Sequence, residues 1–176
     1  MGRSKPIEPP SGPLTDGVVA VRLRRESDLG AIMAASHDPE SLRWLTDPPM
    51  NDETRQTSLA RVAEAWETGT AAPMMIAAAE TDEPVGIVNL QFRDDDVAAI
   101  AYSVFPAHRG QGIAPRAVEV VSAWALGELG LTQLLLEADE GNAASLRVAE
   151  KCGFERIGTR TDETGRKMAV FARFAS

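Results

Sequence analysis

The chain is predicted to fold as an α/β (α+β) sandwich, with a mixed, mostly antiparallel central sheet flanked by helices. Three observations predict this. Three strand-like runs follow one another in the middle of the chain, joined by the tight turns Asp82-Glu83-Pro84 and Asp94-Asp95-Asp96. The second half then alternates helix, strand, helix before two final strands, which is not the rhythm of a repeating doubly wound sheet. Finally, 176 residues, 44% of them hydrophobic and 25% charged, suit a single domain with its own core.

The elements run as follows. Residues 1–17 hold Pro6, Pro9, Pro10 and Pro13 and read as a flexible extension. Val18 to Leu23 is a first strand. Ser27 caps a short helix with Leu29, Ile32 and Met33 on one face. A proline-broken loop passes through Trp44 and the turn Asp47-Pro48-Pro49, and a second helix carries Leu59, Val62, Ala63 and Trp66. Strands follow at Met74 to Glu80, Val85 to Phe92 and Ala98 to Phe105, the last apolar on both faces and therefore central. A helix from Gly112 to Leu129 tolerates Pro115 in its first turn. Leu131 to Ala138 is a strand. Asn142 to Cys152 is a helix with Asn142 as N-cap and Gly153 as its stop. Phe154 to Thr159 and Lys167 to Phe174 form the last strand pair.

Composition excludes several classes. A net charge of −8 argues against duplex nucleic acid and mildly favours a cationic partner. The single Cys152 cannot close an intramolecular disulfide, which suits a reducing compartment. No run approaches the roughly 20 apolar residues of a membrane span, and the first ten residues lack the apolar core of a secretory signal. The expectation is a cytoplasmic protein with no membrane or nucleic-acid partner. His37 and His108 stand alone, so no metal site is expected.

The informative stretch is Phe105-Pro106-Ala107-His108-Arg109-Gly110-Gln111-Gly112-Ile113-Ala114, between a buried strand and a helix. Glycines there admit close backbone approach to a bulky anion, and a helix start presents free amides and a favourable dipole. An ordinary glycine-containing turn is the alternative. The Walker loop does not fit, because no Gly-Lys-Ser/Thr follows. The dinucleotide fingerprint fails at Pro115.

Arg109-x-x-Gly112-x-Ala114 resembles the Q/R-x-x-G-x-G/A motif of the GCN5-related N-acetyltransferases (GNAT). Asn142-Ala-Ala-Ser145, followed by Lys151-Cys-Gly153-Phe154-Glu155, is similar to the N-x-x-S…K-x-G-F-E stretch of their RimJ/RimL group, which acetylates protein N-termini and related amines. The resemblance spans about Val19 to Phe174, making 18–176 the acetyltransferase domain with a GNAT fold. It implies acetyl-CoA as cosubstrate and no metal. Arg109, Gly110 and the amides of Gln111, Gly112, Ile113 and Ala114 would hold the pyrophosphate. In this superfamily the preceding strand splays from its neighbour, so backbone near Val104 and Phe105 would pair with the pantetheine arm. Asn142 would hydrogen-bond the cofactor as well as cap its helix, and Ser145 would lie near the thioester sulfur as catalytic donor. Trp44, Phe92 and Tyr102 are acceptor-groove candidates. Relatives often dimerise, so a homodimer is an expectation.

Where many RimJ/RimL-like sequences carry a Glu on the central strand, this chain has Ala99. Glu137, on the next strand, is a weaker candidate for the base. An α-amine, with a pKa of about 7.7–8.0, is roughly one-tenth neutral at pH 7, whereas a lysine at about 10.4 is almost wholly charged. A site without a strong base therefore suits a protein or peptide α-amine. The alternatives are a small cationic amine (aminoglycoside, polyamine or amino acid) and a CoA-binding regulatory module without catalysis.

Overall fold

The computed structural model describes residues 2–44 and 48–176. Among them, eight strands form one sheet: β1 (Leu14–Thr15), β2 (Val19–Arg22), β3 (Ala71–Ala78), β4 (Pro84–Phe92), β5 (Val97–Val104), β6 (Gln133–Asp139), β7 (Glu155–Thr161) and β8 (Lys167–Phe174). The helices are α1 (Leu29–Ser36), α2 (Pro39–Trp44), α3 (Asp52–Thr68), α4 (Ile113–Leu126) and α5 (Ala143–Lys151). The strand order is β1-β2-β3-β4-β5-β6-β8-β7. Every neighbouring pair is antiparallel except β5 and β6, which α4 joins by a parallel crossover. The mixed, mostly antiparallel sheet predicted from the sequence is the observed one.

Strand alternation divides the core in two. On one face Met74, Ile76, Val88, Leu90 and Ile100 meet Val118 and Val121 of α4 and Val148 of α5. On the other, Met75 and Phe105 meet Leu29 and Ile32 of α1. Met75 belongs to one side and its neighbours Met74 and Ile76 to the other, the period of two that a fully buried strand requires. Helix α3 contributes Trp66, whose ring lies 6.5 Å from that of Trp124 and whose indole N–H donates to the Pro73 carbonyl. Trp66 is thus a core residue.

One reading is corrected. The segment through Trp44 is helical as α2, where a loop is expected from Pro39. Asp38 starts it, accepting from the Ser41 amide at 3.0 Å, and Pro39 occupies the first turn, where no amide donor is needed. Asp47 of the expected turn lies outside the described residues. The proline-rich N-terminal segment is laid against the domain: the Arg3 amide donates to the Gly69 carbonyl at 2.7 Å and the Ile7 amide to the Trp66 carbonyl at 2.9 Å. Ile7, an apolar residue in a polar run, is buried in the core, and Leu14–Thr15 adds β1 beside β2. No helix among the described residues is long and apolar enough to cross a membrane.

One buried ion pair ties β2 to the chain leading into α1. Arg22 donates from both terminal nitrogens to Asp28, at 2.8 and 3.0 Å, and from Nε to Asp82. Burial pushes the Asp28 carboxyl up, but the hydrogen bonds from Arg22 and the Arg25 amide outweigh it and hold the group below its usual value. Asp28→Ala removes the buried partner of the guanidinium and leaves it only the half-exposed Asp82, and is expected to cost about 3 kcal/mol in chemical denaturation. Because the folded pKa is depressed, the pair's contribution is full above the unfolded carboxylate value of about 3.9. It is lost as pH falls through the lower folded value. Acid unfolding curves of wild type and Asp28→Ala are therefore expected to converge at the acidic end.

Candidate active site

Strands β5 and β6 pair through only Val97↔Gln133, Ala98↔Leu134 and Ala99↔Leu135 and then separate. Each keeps its other neighbour: β5 stays on β4 as far as Gly86↔Val104, and β6 stays on β8 as far as Asp139↔Met168. The Arg93 amide donates to Val97, and the Phe105 amide donates to Val85. By alternation, the odd-numbered residues of β5 spend their backbone groups on β4. Tyr102 and Val104 turn theirs into the gap. A cavity of about 960 Å³ opens there.

The loop before α4 borders the same cavity. Gly110 and Gly112 have φ of +75° and +74°, and a Cβ at either would meet nothing within 4 Å. The need for glycine here is torsional, and open space lies over the backbone. Gly112 is the N-cap of α4, so the amides of the first helical turn have no carbonyl partner inside the helix. Val104, Arg109, Gly110, Gly112, Ile113 and Ala114 all line the cavity.

Helix α5 brings its start to the opposite wall. The Asn142 side chain accepts from the Ser145 amide at 3.3 Å, the expected N-cap bond. Ser145 Oγ lies 2.9 Å from the Tyr102 hydroxyl, and both residues line the cavity with Asn142. Burial pushes the Tyr102 phenol up to about 12, against the opposing effect of its bond to Ser145. Tyr102 is therefore a neutral hydroxyl at any physiological pH.

Three expected site residues stand elsewhere. Phe92 is in the core, with the Arg3 guanidinium 5.4 Å from its ring centre. Alternation along β4 sends Phe92 inward with Leu90, and it is Gln91 that borders the cavity. Phe105 packs against α1, and its amide and carbonyl are taken by Val85 and His108, so of the two expected backbone positions only Val104 faces the gap. Gln111 is exposed and outside the cavity wall. Trp44 does line the cavity, its indole N–H donating to Glu40 at 2.7 Å.

Sequence reading missed the contacts that seat α2 over the cleft. Arg109 Nη2 donates to Asp38 at 2.8 Å and to Ser41 Oγ at 3.1 Å, and Arg166 Nη2 donates to the Arg43 carbonyl at 2.6 Å. Arg109 thus faces α2 as well as the cavity. The signal for α2 was present in the Asp38-Pro39 start; the signal for its partners was not. Glu137 borders the cavity, as does Ala99, and its Oε2 accepts from Arg160 Nε at 2.9 Å. The carboxylates of Asp94 and Asp95 are spent on turn amides and on Ser4, as expected of turn residues. Cys152 is buried, and its thiol is pushed up to about 11 by burial and by Glu119.

Known proteins share this architecture. A family model described as an acetyltransferase (GNAT) domain matches residues 19–155. An N-acetyltransferase 9-like protein of Caenorhabditis elegans is 32% identical over 123 residues, 63% of this chain and 55% of that protein. The chain spans about half the length of the curated relatives it matches. Among solved structures, a RimL ribosomal α-N-protein acetyltransferase in complex with coenzyme A superimposes with a TM-score of 0.80 at 17% identity, covering 92% of this chain and 96% of that one. A spermidine N-acetyltransferase from Vibrio cholerae in complex with CoA and spermine gives 0.79 at 16% identity, covering 91% and 97%. At these identities the structural likeness speaks to the fold; the family model, which spans most of the sequence from β2 to the start of β7, carries the assignment. The chain belongs to the GNAT acetyltransferase family.

Proposed function

We propose that this chain is an acetyl-CoA-dependent N-acetyltransferase of the RimJ/RimL-like group that acts on a protein or peptide α-amine. The observation that carries the reading is the splay of β5 from β6 beside a glycine-bearing helix start. Backbone groups of Tyr102 and Val104 are placed to pair with an amide-bearing arm as an added strand would. The α4 start, with Gly110 and Gly112, is suited to a pyrophosphate. Asn142 and Ser145 would flank the thioester.

The amine nitrogen attacks the acetyl carbonyl within a ternary complex, and positioning makes the step effectively unimolecular. The Val104 amide donates to the oxygen as negative charge develops on it. As the N–C bond forms and the C–S bond breaks, Ser145 donates a hydrogen bond to the departing sulfur. A thiolate is a moderate base, with a conjugate-acid pKa of about 8.5, so a hydroxyl donor suffices. The proton lost by the amine passes to water.

Ala99 supplies no carboxylate, and Glu137 across the gap is engaged by Arg160. An acceptor that is already partly neutral near pH 7 fits such a site, which favours an α-amine over a lysine side chain. The second reading, a small cationic amine, is favoured by the carboxylates around the cleft: Glu40, Glu137, Asp139, Asp162 and Glu163 all border it.

The test is thiol release from acetyl-CoA with a lysine-free peptide bearing a free N-terminus, against its α-acetylated copy. Release with the free peptide alone is the expected result. Release with polyamines but with neither peptide would shift the assignment to the second reading. No release with any amine, together with retained CoA binding, would leave a non-catalytic CoA module. Ser145→Ala is expected to lower kcat roughly tenfold, below the usual span for acid–base catalysis because the leaving group is good. Cys152, held as a buried thiol at pH 8, is expected to resist alkylation in the native protein. Rapid native labelling would contradict a buried, protonated thiol.

A further inference from the structure

The Tyr102 and Ser145 hydroxyls share one hydrogen bond of 2.9 Å across the cleft, between a strand and a helix 43 residues apart in sequence. Only one of the two can donate in it. A phenol is more acidic than an alkanol and the better donor, while an alkanol oxygen is the better acceptor. Tyr102 keeps its proton in this buried setting, so it always has one to donate.

We propose that Tyr102 is a positioning residue for Ser145: its phenol donates to Ser145 Oγ, which turns the serine hydrogen away from Tyr102 and into the cleft, toward the leaving sulfur. The Ser145 amide is already fixed on the Asn142 side chain, so the serine is held at its backbone by α5 and at its hydroxyl by β5. An unpartnered serine hydroxyl rotates among several orientations. One whose oxygen is engaged by a donor has fewer left, and its own hydrogen is free to donate outward. Neither hydroxyl gives up its proton for good. The amine nitrogen forms the new N–C bond, the C–S bond breaks, the thiolate leaves into the serine's hydrogen bond, and the surplus proton of the amine goes to water. Tyr102 thus acts through Ser145, and its role differs from that of the acceptor-groove aromatic expected from the sequence. The proposal rests on the acetyltransferase reading for its catalytic half; the hydrogen bond itself does not.

Two measurements test it. The first is a kinetic cycle of Tyr102→Phe, Ser145→Ala and the double variant, with the lysine-free peptide as acceptor. Tyr102→Phe is expected to lower kcat by about three- to tenfold, the worth of one neutral hydrogen bond, with the KM for acetyl-CoA unchanged. In the Ser145→Ala background the same change is expected to cost nothing further, because the hydroxyl it positions is gone. Effects that multiply would overturn the proposal, since a phenol that merely packs acts independently of the serine. Ser145→Thr, which keeps a hydroxyl, is expected to retain sensitivity to Tyr102→Phe.

The second measurement needs no turnover. The chain has one tyrosine, so protein labelled with fluorotyrosine gives a single fluorine resonance. Ser145→Ala is expected to shift it; an unmoved resonance would show that the two hydroxyls are not bonded and would overturn the proposal. A wild-type protein that turns over no amine would remove the acetyltransferase reading and the positioning role with it, while the resonance would still report whether the pair exists.

Discussion

Everything in the cleft depends on the interruption of one strand ladder. Buried backbone amides and carbonyls need partners, and a sheet normally supplies them from both sides. Here β5 and β6 supply one another for three register positions and then part, each still anchored on its outer neighbour. Gly86 allows the anchoring on the β4 side, since a Cβ there would lie 2.6 Å from the Ser103 carbonyl oxygen, so β4 and β5 close tightly where β5 and β6 open. The crossover through α4 then sets one helix start at the mouth of the opening, and the turn after β6 sets the start of α5 beside it. A gap in a ladder and two helix N-termini facing it make a concave surface at which main-chain groups are presented.

That construction accounts for the small number of side chains to which the proposed mechanism gives a chemical role. On the proposed reading the acetyl donor is addressed by backbone, which any sequence with the right glycines can present. What remains for side chains on that reading is the capping of α5 by Asn142, the Ser145 hydroxyl proposed to meet the sulfur, and the walls of the proposed acceptor side. Those walls come from α2 and from the β7–β8 turn. Helix α2 meets the β7–β8 turn through Arg166 on the Arg43 carbonyl, and meets the loop before α4 through Arg109 on Asp38 and Ser41. Partly exposed pairs of this kind contribute little to stability individually. Their effect is geometric, seating α2 between the loop before α4 and the hairpin beyond β6.

The fold was largely legible in the sequence because its signals are local. Turn residues at Asp82-Glu83-Pro84 and Asp94-Asp95-Asp96, helical stripes and the Asn142 cap each depend on neighbours a few residues away. The Asp38-Pro39 start of α2 is an equally local signal, but the prolines that follow it, Pro48 and Pro49, point to a loop. The site was legible only where main chain builds it. Which of two adjacent strand residues faces the gap depends on the pairing of β5 with β4, so Val104 and Phe105 could not be told apart in advance. Phe92 failed as a wall residue for the same reason: parity on β4, not residue type, decides its face. The Tyr102–Ser145 and Glu137–Arg160 contacts join distant segments and leave no mark in either segment alone.

The most direct test of this account is residue-resolved amide hydrogen exchange, followed by NMR with and without acetyl-CoA. If the open ladder is where the pantetheine arm lies, the Tyr102 and Val104 amides are expected to slow sharply when acetyl-CoA is added. The intervening Ser103 amide, already spent on β4, should hardly change. Protection confined to the α4 start, with Tyr102 and Val104 exchanging as fast as before, would contradict the account, because the interrupted ladder would then play no part in holding the cosubstrate.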